Sequence, residues 1–312
     1  MTAGWVAAST RGRALNRRLL GSEGARQMAG SASWPEARAH LQASFYGTDL
    51  PAGADRATAR TATATATVWQ LRVLAGWLPV GGSGLARLFA APIEIANIER
   101  HLVTLQGGPA AHPVPLGALA VAWPRVAETR SPEHLVDVLT HSAWGDPGGF
   151  GFETLAVGLR VAWARRLIGQ VPVAAEWAKG GLAVLIAREI FAFERDLTPP
   201  VGREVDRLLG KHWRDAATLP ALIDALPDTA AWALEEAASD ANLSPAELWR
   251  AEVSVARRVG SDAATQAATR RHTKDTVAAL MALLLLDLRR VLAAIEVAGR
   301  GPNRIEVFDA VA

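Results

Sequence analysis

Apolar residues in this chain recur mainly at steps of three and four. Between about Asp262 and Ala298, the residues Val277, Leu280, Leu284, Leu288, Val291 and Ile295 line up in this way, which is the spacing of a helix that buries one face. Met281, Leu283, Leu285 and Leu286 widen the stripe until it nearly encircles the helix, so neighbours are expected on several sides. A weaker pattern runs from Ala54 to Leu78. It includes the Thr-Ala tract from Thr61 to Thr67, where threonine costs some helix propensity but adds no charge.

Punctuation agrees with helices. Ser33-Trp34-Pro35-Glu36 and Ser244-Pro245-Ala246-Glu247 each set a serine three residues before a glutamate, and Ser131-Pro132-Glu133 puts proline at a first helical position, all signatures of helix N-termini. Glycine and proline interrupt the pattern at 50–53, 78–84, 107–115, 145–151, 198–202 and 300–302. No run alternates apolar and polar residues between hairpin turns, so a sheet has no source. The expected fold class is all-α.

The sequence also resembles itself. When Ser33 is set against Ser131, SWPEARAHLQASFYG and SPEHLVDVLTHSAWG pair Leu41 with Leu139, Ser44 with Ser142, Tyr46 with Trp144 and Gly47 with Gly145. A fainter copy starts at Thr218, where TLPALIDALPDTAAW supplies Leu226 and Thr229 at the matching places. The three starts lie roughly 90 residues apart, longer than the short solenoid repeats. The expected organisation is three pseudo-repeated helical domains, at about 1–95, 96–205 and 206–312.

Composition narrows the function classes. In 312 residues, 50% of them hydrophobic, 33 Lys and Arg face 31 Asp and Glu, with only short arginine pairs where nucleic-acid binding would want clustered positive charge. The absence of cysteine removes disulfides, thiol catalysis and thiolate zinc sites, and fits a reducing compartment. The N-terminal MTAGWVAASTRGR lacks a basic region followed by an apolar core, and no secretion signal is expected. Ala278 to Leu286 is the most apolar run, far short of the roughly 20 residues a transmembrane helix needs.

Candidate chemistry is sparse. Gly81-Gly82-Ser83-Gly84 lacks the Gly-Lys-Ser/Thr of a phosphate loop and is expected to be a turn. His134, Asp137 and His141 share a helix face, but the two histidines are about 10.5 Å apart along the axis, too far to ligate one ion at roughly 2 Å each. Glu189, Glu194 and Asp196 cluster with Arg188 and Arg195, the composition of an ion-paired surface. No Gly-x-Ser-x-Gly elbow is present. No cofactor, metal or catalytic residue is expected. Asp287, inside LLLLDLRRV, is either turned to solvent or paired, with an arginine from another repeat as the anticipated partner. The eleven tryptophans are expected mostly in the core, with some able to anchor interfaces.

Several of these residues together resemble the C-type subunit family of the V/A-type ATPases, whose eukaryotic members are the d-type subunits of the V-ATPase. An arginine-rich helix (GWVAASTRGRALNRRLL) precedes a short helix and a Leu-x-x-Ser-x-Tyr signature formed by Leu41, Ser44 and Tyr46. PIEIANIERHL carries Glu94, Asn97 and Arg100 where the family has an acidic-x-x-Asn helix. LLLLDLRRVLAAIEVAGRG offers a C-terminal counterpart in Asp287, Arg289 and Arg290, with Arg290 standing where the family pattern calls for Asn. The resemblance implies a funnel-like socket of three similar helical domains. Such a socket would couple the central shaft to the proteolipid rotor ring of a proton- or sodium-translocating ATPase, on the cytoplasmic side and peripheral to the membrane, without catalysis. The competing classes are a helical scaffold or adaptor and an all-helical enzyme, which would need a deep pocket with converging ionisable groups.

Overall fold

The computed structural model describes residues 3–110, 112–238 and 245–312. The first half contains α1 (Ala3–Asn16), α2 (Gly21–Ala29), α3 (Trp34–Gln42), α4 (Arg56–Trp77), α5 (Ser83–Leu105), the single-turn α6 (Trp123–Val126) and α7 (Pro132–Thr140). There follow α8 (Phe152–Gln170), α9 (Ala175–Ala187), α10 (Pro199–Leu209), α11 (Leu219–Ala225) and α12 (Asp228–Ala238), then α13 (Trp249–Ala268), α14 (Lys274–Val297) and α15 (Arg304–Val311). Among the described residues there is no strand, and no helix is long and apolar enough to cross a membrane.

Helix boundaries follow the caps. Ser33 and Ser131 each accept an amide three residues on, from Glu36 at 3.4 Å and His134 at 3.2 Å, which satisfies one of the orphan donors of a helix start. Thr218 does the same for Ala221 at 3.3 Å. The start proposed at Ser244 lies outside the described residues.

The long pattern read from Asp262 to Ala298 is broken. α13 stops at Ala268 and α14 begins at Lys274, with the Thr273 hydroxyl accepting from the Thr276 amide at 3.2 Å. No glycine or proline marks this break. Arg13 of α1 makes it possible, donating to the carbonyls of Ala267, Thr269 and Arg271 and so satisfying the C-terminal end of α13.

The chain divides into two compact units. Unit 1 comprises 1–90, 112–119 and 259–312, so it gathers both ends of the chain. Its centre is α14, which packs against α1, α2, α4 and α15. Val277, Leu280, Leu284, Leu288, Val291 and Ile295 are all buried, and each side chain of this kind contributes on the order of 2 kcal/mol when removed from water. The Thr-Ala tract forms an inner face of α4. Thr63 and Thr67 are fully buried because their hydroxyls donate to the carbonyls of Ala59 and Thr63 one turn back, at 2.7 and 3.0 Å. A tract that looks polar therefore turns its buried hydroxyls back onto its own helix, with that of Thr67 also bonded to Tyr46.

Unit 2 comprises 91–111 and 120–258. Its core joins Ile95, Ile98 and Leu102 of α5 to Leu135 and Leu139 of α7 and Leu155 and Leu159 of α8, with Val126 and Trp144. α9 packs between α8 and α12.

Candidate functional site

Two of the buried carboxylates, Asp287 in unit 1 and Glu94 in unit 2, each serve a helix that has no local cap. α2 begins after Leu20 and α6 after Ala122, and neither of those residues makes a side-chain capping bond. A helix N-terminus left bare carries unsatisfied amides and partial positive charge, and at these two starts the acceptor comes from elsewhere in the fold.

In unit 1 that acceptor is Asp287, which is 1% exposed. Its two oxygens receive the amides of Gly21 at 2.7 Å and Leu20 at 3.1 Å, and Oδ2 also receives the Tyr46 hydroxyl at 2.7 Å. The carboxylate is thus neither turned to solvent nor held by an arginine from another repeat, the partner anticipated from sequence. A helix start and a phenol offset its burial instead. Burial and the Asp287 charge push the Tyr46 hydroxyl well above the usual tyrosine range, with burial the larger cause.

Leu41 and Ser44 position Tyr46. Leu41 is fully buried, and its carbonyl accepts the Ser44 hydroxyl at 2.7 Å. The same hydroxyl accepts the Tyr46 amide at 3.2 Å, which turns the chain sharply after α3. Gly47 is required here, since a Cβ would sit 2.4 Å from Gln42 Cα. Arg289 donates to the Val311 carbonyl at 3.0 Å and ties α15 to α14. Arg290 is half-buried on α14.

In unit 2 the corresponding carboxylate is Glu94, fully buried on α5. It accepts the amides of Val121 at 2.9 Å and of Ala122 and Trp123 at 2.7 Å, all at the start of α6. The turn after α7 repeats the one after α3. Ser142 donates to the Leu139 carbonyl at 2.7 Å and accepts the Trp144 amide at 3.1 Å, with Gly145 at φ +79°. Trp144, 2% exposed, occupies the place of Tyr46, but its Nε1 has no hydrogen-bond partner among the described residues. The Arg166 guanidinium lies 5.2 Å from its ring centre. Burial lowers the Arg166 pKa, while the Glu94 charge works in the opposite direction. Asn97, 1% exposed, follows one turn after Glu94, and Arg100 bonds the Ala96 carbonyl at 2.9 Å.

The third start is less complete. Thr218 has the same backbone geometry as the other two caps, with φ/ψ of −139°/160° against −141°/158° at Ser33 and −144°/158° at Ser131. Yet α11 ends at Ala225, and α12 begins at Asp228 immediately after Pro227, so the Ser-aromatic turn is missing. Glu189, in a single π-turn after α9, is 6% exposed and has Arg195 Nε 3.4 Å from Oε2. Burial raises its pKa, and Arg195 and Arg188 partly oppose the rise.

Three other candidates have plain geometry. Gly81-Gly82 turns the chain from α4 into α5. His141 Nδ1 lies 3.3 Å from Asp137, both side chains being well exposed. Ser9 meets the ring of His272, a pair 263 residues apart that sequence spacing does not reveal. The Ser9 hydroxyl is fully buried and bonds the Val6 carbonyl at 3.1 Å, so it is not presented to a substrate.

Sequence reading missed the bare helix starts as partners for the carboxylates. No protein-family profile matches the chain, and no characterised protein matches it.

Proposed function

We propose that this chain is a non-catalytic coupling component of a V/A-type rotary ATPase, a socket that transmits torque between the central shaft and the proteolipid rotor ring. The observation that carries the proposal is the matched construction of the two buried acids. Asp287 and Glu94, the acidic positions of the family-like helices, each cap an uncapped helix, and each accompanies a Leu-x-x-Ser-x-aromatic turn with the same bonds. In this reading the third unit begins near Thr218, and the funnel is built from domains at about 1–95, 96–205 and 206–312. Torque transmission calls for stiffness rather than a reactive group. Buried carboxylates that lock the start of one helix to the middle of another supply stiffness, because breaking them strands charge away from water.

The test is affinity isolation of the tagged chain from detergent-solubilised membranes of its own source. Recovery with a proteolipid ring and a shaft protein is the expected outcome. Recovery without either, from membranes whose rotary ATPase remains assembled, would favour the scaffold reading and overturn this one.

A further inference from the structure

Unit 1 carries an apolar stripe that its own core does not use. Trp69 and Trp77 on α4 are 56% and 53% exposed, and Val80, in the turn that follows, is fully exposed. Trp69, Arg72 and Gly76 succeed one another at helical steps of three and four on α4 and all are exposed; Trp77 ends the helix, and Val80 lies beyond it in the turn. The exposed Trp77 and Val80 thus stand where α4 ends and the glycine turn begins. Arg72 lies over the Trp69 ring, 5.5 Å from its centre, and the exposed Arg87 is fixed by its bond to the Ala118 carbonyl at 3.0 Å.

Charge along these segments has one sign. From 56 to 93 the only charged residues are Arg56, Arg60, Arg72 and Arg87, and 1–22 holds four more arginines, again with no acid; Arg60 is paired with Glu296 and Arg13 and Arg56 bond backbone carbonyls, which leaves Arg72 and Arg87 as the cations beside the turn. We propose that the C-terminal end of α4 and the α4–α5 turn of unit 1 dock on an anionic lipid surface, with Trp77 and Val80 entering the headgroup boundary and Arg72 and Arg87 binding lipid phosphates. Tryptophan favours the headgroup level because its ring is apolar and its N–H polar, and arginine pairs with phosphate through a planar fork. A protein-docking hot spot is a desolvated pocket, whereas this feature protrudes, with its most exposed apolar residue at the apex of a turn. That shape suits a deformable surface. The inference goes beyond the ATPase-coupling reading and does not depend on it, since lipid binding needs neither ring nor shaft.

The experiment is flotation of the purified full chain with vesicles of phosphatidylcholine alone and of phosphatidylcholine mixed with phosphatidylserine. Binding to the mixed vesicles should be about tenfold stronger and should weaken at high salt. The double variants Trp77→Ser/Val80→Ser and Arg72→Glu/Arg87→Glu, whose side chains lie outside the core, should each lose about tenfold while circular dichroism stays unchanged. Equal binding to both vesicle types, binding to neither, or variants that float like the parent would overturn the proposal. So would loss of a protein partner, rather than of vesicles, in the Trp77→Ser/Val80→Ser variant.

Discussion

The Tyr46 hydroxyl donates to Asp287 Oδ2 at 2.7 Å across 241 residues of sequence, inside a unit formed by both ends of the chain. The bond ties the turn after α3 to the middle of α14, and through the second carboxylate oxygen to the first residue of α2. Breaking it should be felt over the whole unit. Tyr46→Phe keeps the ring but removes the donor, and should cost about 1–3 kcal/mol in urea unfolding. Asp287→Ala, which strands the phenol and two helix amides together, should cost more, about 3–5 kcal/mol. A Tyr46→Phe variant as stable as the parent would mean that the bond contributes nothing.

Tyr46 is the only tyrosine in the chain, so tyrosinate absorbance near 295 nm reports on this residue alone. Its pKa is raised from 10.0. In the native protein the absorbance should therefore appear only well above pH 10.0, whereas in denaturant it should appear around the ordinary value. Linkage sets the sign: above pH 10.0 the unfolded state has lost a proton that the folded state keeps. The contribution is thus complete below the unfolded pKa and is lost as pH rises, at up to about 1.4 kcal/mol per pH unit. Tyr46→Phe should lack this part of the slope in urea titrations through the same range.

Glu94 accepts three amides at the start of α6. Glu94→Gln retains one acceptor oxygen and places a donor among donors, so it should destabilise the chain by about 2–4 kcal/mol, and Glu94→Ala by at least as much. Hydrogen exchange should reveal the loss first as faster exchange of the Val121, Ala122 and Trp123 amides.

Gly47 and Gly145 occupy the same place in their turns for different reasons. At Gly47 an added Cβ meets the backbone of Gln42, while at Gly145 the nearest heavy atom is 3.9 Å away and only the φ of +79° is unfavourable. Gly145→Ala should therefore cost about 1–2 kcal/mol. Gly47→Ala should cost more, because α3 has to shift. Thermal melts of the two variants give the order directly, and the reverse order would contradict this account.

Much of the local structure was legible in the sequence. The caps at Ser33, Ser131 and Thr218 and the stripe of α14 are local features, determined by steric and hydrogen-bonding preferences within a few residues. The likeness between the Ser33 and Ser131 segments extends to matching hydrogen bonds, while the Thr218 copy keeps its cap and loses its turn, because Pro227 leads directly into the next helix. The break between α13 and α14 was not legible, since the carbonyls it exposes are satisfied by Arg13 from the far end of the chain.

The same division holds at the two acids. By itself the sequence determined that the chain is helical, where α3, α7 and α11 begin, and that Asp287 stands in an apolar run. Only the tertiary structure decided what those acids do, because a buried carboxylate has to find donors wherever the fold brings them. Here the donors are backbone amides, which every residue except proline carries and which leave no mark on the order of side chains.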